Sequence, residues 1–404
     1  MRATWVFGLL IITSLSIPTT ALGAETLKEV ISEGKVSGAV RSYYNFRDFD
    51  TKPDTSAFAL GGHLHAETAP LYGATVGGTF YMSDDVGTRD EDPARRNTNL
   101  PDDAYVFGEA YFQYRGFDTV FGIGRQKIDT PLANPSDAFM IPITFETISL
   151  SNTSIKNLTV SAYYLDRIKN RPSDEFVNVG RFTTDRLGMA KSSNRGTGIM
   201  GAVYSAKSMK LQGWGYFFPD LFHVAYLQAD YSFPQVWGVT PDLAAQYIYE
   251  GNSGDDFLGD VDVNGFGVKI SGKRGPFGLL FAYNHVVSEG GAFRNGAVLA
   301  PFSFATGPLF TNSMVETLEN SDAGDAFRVA LDYKFWDPFT ARVSFVAYER
   351  DIAPDTTETD IDLTYDALKG FLEGLSFRIR LGIIESGTAS ADLVELRPQL
   401  QYVF

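Results

Sequence analysis

Basic side chains recur at alternating positions along this chain. Arg378 and Arg380 sit two apart in residues 375–383, where the other phase reads Leu375, Phe377, Ile379, Leu381 and Ile383. A strand sends alternate residues to opposite faces, so the two guanidinium groups share one face. Arg41, Arg125, Lys127, Arg328, Arg342 and Arg397 are further candidates for the polar phase of similar stretches. A guanidinium matches a carboxylate through two parallel hydrogen bonds. Several such groups in a confined, water-filled space favour small anions and let them both bind and leave. The alternative use of the same residues is pairing with acids across strands to stiffen a wall.

The acids with a comparable claim are Glu109, Asp129, Asp137 and Glu146. Asp129 and Asp137 lie in 121–146, FGIGRQKIDTPLANPSDAFMIPITFE, which starts and ends as a strand. Its middle carries Pro131, Pro135 and Pro142, none of which can donate a ladder hydrogen bond. Residues 128–142 therefore read as a stiff loop of fixed shape; from this stretch alone an ordinary surface loop fits equally, and with the rest of the chain it is expected to fold into an enclosed bore and narrow it. Arg125 and Lys127, just before that loop, are the expected constriction residues. Glu109 and Glu146 are expected to face the loop or anchor it, and the aspartates serve either the pathway or Asx turns.

Other chemistry finds little support. His63 and His65 place two imidazoles on one strand face, but no third clustered ligand and no cysteine accompanies them. No metal and no cofactor is expected. Serine is plentiful, yet no nucleophile-elbow pattern occurs, so an enzyme is not expected.

The elements that must hold these residues are strands. The 404 residues include 39 Gly, 32 Phe and 20 Tyr with no Cys, at a mean hydropathy of -0.09. Many strands with one apolar and one polar face produce such a balance. About eighteen candidates follow one another, the first at 35–46 and the last at 391–404, an even number as in single-chain outer-membrane barrels. Connections alternate between short (116–118, 207–208, 273–276, 336–339) and long (84–103, 168–196, 288–324). Short periplasmic turns and long outer loops give that asymmetry, with both ends periplasmic. Phe327, Leu331, Phe377, Leu381 and Leu400 are expected to face lipid. Residues 1–23 read as a signal peptide, with Arg2, an apolar core from Trp5 to Ile12 and small residues before the cleavage point. Residues 24–34 form a short periplasmic segment, and 35–404 the transmembrane barrel. A net charge of -15 argues against nucleic acid as a partner.

GIGRQKIDTPLANPSDAFMIPITFE resembles the Gly-Arg-Gln, Asp-Thr-Pro-Leu and Pro-x-x-Phe-Glu elements of OprD-type porins. GKVSGAVRSYYNFRD, 34–48, is similar to that family's first strand. The resemblance implies an all-β, antiparallel up-and-down barrel of about 18 strands, monomeric or loosely oligomeric, with its third outer loop in the lumen. It also implies a basic ladder along one wall facing an acidic patch. Solutes would be carboxylates, basic amino acids or sugars, passed passively across the bacterial outer membrane. The alternative is a general diffusion porin, trimeric and of about 16 strands. Expected partners are outer-membrane lipids and lipopolysaccharide, small solutes, and the barrel-assembly machinery through Phe404.

Overall fold

The computed structural model describes residues 24–404 except 89, 137–138, 303–306, 368–369 and 389–390. The signal-peptide reading and Asp137 lie outside the described residues. Thr26 opens a short helix, α1 (Leu27–Ser32): its hydroxyl accepts from the Glu29 amide while the Glu29 carboxylate accepts from the Thr26 amide.

Eighteen strands then make the wall. They are β1 (Lys35–Phe49), β2 (Thr55–Glu67), β3 (Ala74–Asp84), β4 (Ala104–Gly116), β5 (Thr119–Gln126) and β6 (Thr144–Asn152). There follow β7 (Leu158–Lys169), β8 (Thr197–Ser205), β9 (Met209–Phe218), β10 (Phe222–Ser232), β11 (Thr240–Asn252) and β12 (Asp262–Arg274). The last are β13 (Phe277–Val286), β14 (Gly324–Trp336), β15 (Phe339–Arg350), β16 (Thr356–Asp366), β17 (Leu375–Ser386) and β18 (Leu393–Val403). Each pairs antiparallel with its sequence neighbours, and β1 pairs with β18, so the sheet closes on itself. Closure removes the unpaired edges that a membrane cannot satisfy. A two-residue ladder, Val177–Asn178, adds to β7 outside this count and leads into helix α2 (Val179–Arg186).

Period two sorts the wall. Val40, Leu64, Ile123, Leu150, Phe266, Phe281, Phe327, Leu331, Phe377 and Leu400 are exposed on the outside, and Leu381 shares their phase. The opposite phase, with Arg41, Tyr43, Tyr81, Tyr216 and Arg397, is buried in the bore. At the end with short turns, aromatic rings gather: Phe277 on Tyr333, Tyr333 on Phe335, and Trp336 on Phe339. Such a girdle sits at a membrane interface. The seam is tight. Gly38 and Phe404 exchange backbone hydrogen bonds of 3.0 and 2.9 Å. The Phe404 ring lies where a Cβ on Gly38 would be, at 2.7 Å.

Two connections at the long-loop end turn inward. In 127–143, Leu132, Ala133, Ile141 and Ile143 are fully buried, and the Leu132 amide donates to the Tyr216 hydroxyl at 3.2 Å. Residues 287–323 do the same with Val298, Leu299, Ala300 and Phe302, whose ring meets Phe145 edge-on. The length of this second loop was legible in the sequence; its burial was not foreseen.

Candidate functional site: a basic wall and two inward loops

Five charged residues of the bore fall into one cross-strand row. In register, Asp332 of β14 faces Arg342 of β15, which faces Asp362 of β16. Asp362 faces Arg380 of β17, and Arg380 faces Arg397 of β18. The signs alternate until the last step, where two arginines stand opposite each other. Arg342 grips Asp332 with two hydrogen bonds of 2.6 and 3.1 Å. Arg378 takes Asp362 in the same bidentate way, with its Nε 2.9 Å from Oδ1. Arg380 is left with a 3.6 Å approach to Asp362. Arg397 donates to Glu395 at 2.7 Å, and Asn45 donates to the same oxygen at 2.6 Å. Arg47 closes on the other Glu395 oxygen at 3.2 Å.

Other basic residues hold the inward loops. Arg41 donates from Nη1 to the Phe139 carbonyl and from Nε to Gln401 at 2.8 Å. The Phe139 ring is clasped between two guanidinium groups, those of Arg171 at 4.5 Å and Arg397 at 4.9 Å from its centroid. Burial, with Arg397 and Arg186 nearby, pushes Arg171 down to about 10. Arg328 donates to the Asn312 carbonyl at 2.6 Å. Glu358 gathers the amides of Val315 and Glu316 at 2.9 and 2.7 Å, and the Tyr348 hydroxyl donates to the Thr311 and Glu316 carbonyls. Arg350 adds a 2.7 Å bond to the Glu316 carboxylate. Glu319 in the same loop is fully buried, and desolvation pushes its carboxyl up to about 7.

The remaining candidates lie on the neighbouring wall. Glu109 is buried in the bore under hydrogen bonds from Tyr81 at 2.6 Å and Thr79 at 2.8 Å, with Lys127 3.3 Å away. Lys127 has left the strand, so it can reach inward. Arg125 and Glu146 face each other in register at 3.0 Å, and Arg167 approaches Glu146 at 3.7 Å. The Arg125 guanidinium stacks on the Phe176 ring at 4.2 Å, and Phe176 is buried in the same cluster as Tyr43 and Phe139. β5 separates Glu146 from the strand carrying Glu109, so the two acids do not act together. Asp129 is exposed at the start of the loop, with Lys210 in Coulombic range. His65 bonds Thr79 at 2.9 Å and His63 packs on Tyr81 at 5.7 Å. Among the described residues, only Asp84, Asp85 and Asp103 cluster as metal ligands could.

Sequence reasoning passed over Asp332, Asp362 and Glu395. They occupy the same polar phase as the arginines, one strand or two residues away, and the sequence reading gave the acids of that phase no role. Tyr43 and Phe139 carried no such signal.

A closed barrel with an apolar outside, a charged bore and loops folded into that bore is an outer-membrane channel. The chain belongs to the OprD family: the model for "outer membrane porin, OprD family" matches residues 83–335. Solved structures repeat the fold. The crystal structure of Acinetobacter baumannii OccAB3 is 16% identical with a TM-score of 0.80, covering 93% of this chain and 100% of that one. Pseudomonas aeruginosa OpdK with vanillate is 17% identical at 0.76, and Pseudomonas aeruginosa OccK2 (OpdF) in complex with glucuronate 17% at 0.75. For both, the match covers 93% of this chain and 99% of the other. No curated protein sequence matches the chain.

Proposed function

We propose that this outer-membrane porin passes small carboxylated solutes by passive diffusion, and that Arg380 and Arg397 form its main carboxylate station. The observation that carries this is their register. Like charges directly opposite each other on neighbouring strands weaken a sheet, and the acids beside them are shared: Arg378 already grips the Asp362 that Arg380 approaches at 3.6 Å, and Arg397 shares Glu395 with Asn45 and Arg47. An anion arriving between the two guanidinium groups relieves that repulsion. The alternating remainder of the row, Asp332, Arg342 and Asp362, is internally neutralised and serves as a polar track. Arg41 and Arg328 act as positioning residues for the two loops. Two related barrels are known with carboxylates, glucuronate in OccK2 and vanillate in OpdK, in keeping with this reading. The channel performs no chemical step and needs no cofactor, and it works as a monomer or loose oligomer.

Liposome swelling with matched pairs of solutes tests the proposal. A monocarboxylate should enter faster than its primary amide, and Arg380→Gln should erase the difference. Equal rates for both members of each pair in the wild-type channel would sink it.

A further inference from the structure

The outside of the wall carries a groove that the transport pathway does not use. Pro241, Gly272, Leu279 and Leu331 lie in one row across β11 to β14. Gly272 contributes no side chain to that row, and a groove of 480 Å³ opens over it, walled by Val239 and Pro241 on one side and by Phe277 and Phe281 on the other. A Cβ on Gly272 would already stand 3.0 Å from Val239 Cγ1. Ile270 closes the end toward the membrane centre. At the other end, beside the short turn to β13, stands Arg274, opposite Phe277 in register and exposed. Arg274 has no ion-pair partner among the described residues. Lys273 precedes it, and Trp237 on the preceding turn is 91% exposed. The groove is thus apolar along its length, with cationic charge at the depth of the aromatic girdle.

We propose that this groove holds one anionic diacyl phospholipid of the periplasmic leaflet, its acyl chain over Gly272 and its phosphate on Arg274. The site rests on the outward phase of β11 to β14 and is independent of the carboxylate reading of the bore. Charge selects the occupant. An alkyl trough alone accepts any lipid, whereas a guanidinium at its mouth favours a headgroup with net negative charge over one carrying its own ammonium. Short turns mark this end as periplasmic, where the leaflet is phospholipid.

The test is native mass spectrometry of the whole folded barrel, released from detergent in an equal mixture of phosphatidylglycerol and phosphatidylethanolamine with the same acyl chains. One phosphatidylglycerol should be retained several-fold over phosphatidylethanolamine. Arg274→Gln should abolish the preference, and Gly272→Leu, which fills the trough, should abolish retention of either lipid. Should Gly272→Leu fail to give a heat-modifiable barrel, Arg274→Gln decides alone. Equal retention by the wild-type barrel, an unchanged preference in Arg274→Gln, or displacement of both phospholipids by lipopolysaccharide overturns the proposal.

Discussion

Arg380→Gln isolates the weakly paired end of the charged row. The row from Asp332 to Arg397 holds three arginines and two aspartates, so its net charge is positive by one; Glu395 offsets Arg397, and the excess falls on Arg380. Glutamine keeps a donor but removes the charge. A hydrogen bond to a charged group contributes about 1.5–3 kcal/mol, and about 1.4 kcal/mol is tenfold. The expected loss in apparent affinity for a monocarboxylate is therefore about 10- to 100-fold at low salt, shrinking as ionic strength rises. Asp362→Asn is the mirror experiment: it releases Arg378 from its bidentate grip and should shift selectivity toward anions. The assay is reversal potential in a salt gradient across a planar bilayer, together with block of the current by added carboxylate. Both variants should stay heat-modifiable on a gel, because Arg380 makes only the 3.6 Å contact that substitution would remove. Shifts of the same sign in the two variants, or no shift in either, would refute the assignment of the station to this row.

Loop removal should raise single-channel conductance severalfold only when both inward segments are shortened, since resistance concentrates at the narrowest section; full effect from either deletion alone counts against two constrictions. Arg41→Ala should leave the barrel folded but loosen residues 127–143, seen as faster proteolysis of that loop and noisier open current; wild-type behaviour in both would show that the loop is held elsewhere. Burial raises the Glu319 carboxyl to about 7, above the usual value of 4.5, so the seated loop binds the proton more tightly than the released loop. Seating is then favoured in acid and weakens as pH rises from 4.5 toward about 7; current fluctuations should increase over that window and Glu319→Gln should flatten the response. Because the chain has no cysteine, single cysteines at Phe327, Leu331, Phe377, Leu381 or Leu400 give a clean readout, and a water-soluble thiol reagent should leave them unlabelled in the membrane.

The wall was legible because a barrel repeats one rule eighteen times. Phe327, Leu331, Phe377 and Leu400 needed only period two to be placed outside, and long loops alternating with short turns gave the direction of each strand. The site was legible in its residue types and less so in its partners. Phase alone placed Arg378, Arg380 and Arg397 on one wall, but who pairs with whom depends on register between strands, which a single sequence does not encode. That is why Arg378 and Arg380, alike in the sequence, differ: one owns Asp362 and the other only approaches it. Arg125 shows a second limit. It stands two residues before a proline-rich loop, yet its partners, Glu146 across the ladder and the Phe176 ring at 4.2 Å, come from register and from a different loop. For residues 287–323 a clue was present: Val298, Leu299, Ala300 and Phe302 form an apolar run out of place in a solvated loop.

The seam between β1 and β18 also decides when the filter takes its final shape. Arg41 and its partner Gln401 are 360 residues apart in the chain, joined only where the ring closes. Arg397 stands on the last strand, while Tyr43, Asn45 and Arg47, which surround its acid and its aromatic neighbour, stand on the first. Arg380 and Arg397 pair on consecutive strands, but the side chains that hold Glu395 and Phe139 beside them come from the first strand, so the surroundings of the proposed station are complete only when the ring closes. A half-built barrel in transit through the envelope holds the two arginines without the first-strand groups that fix their neighbours, so the final zip of the wall also sets the shape of the filter.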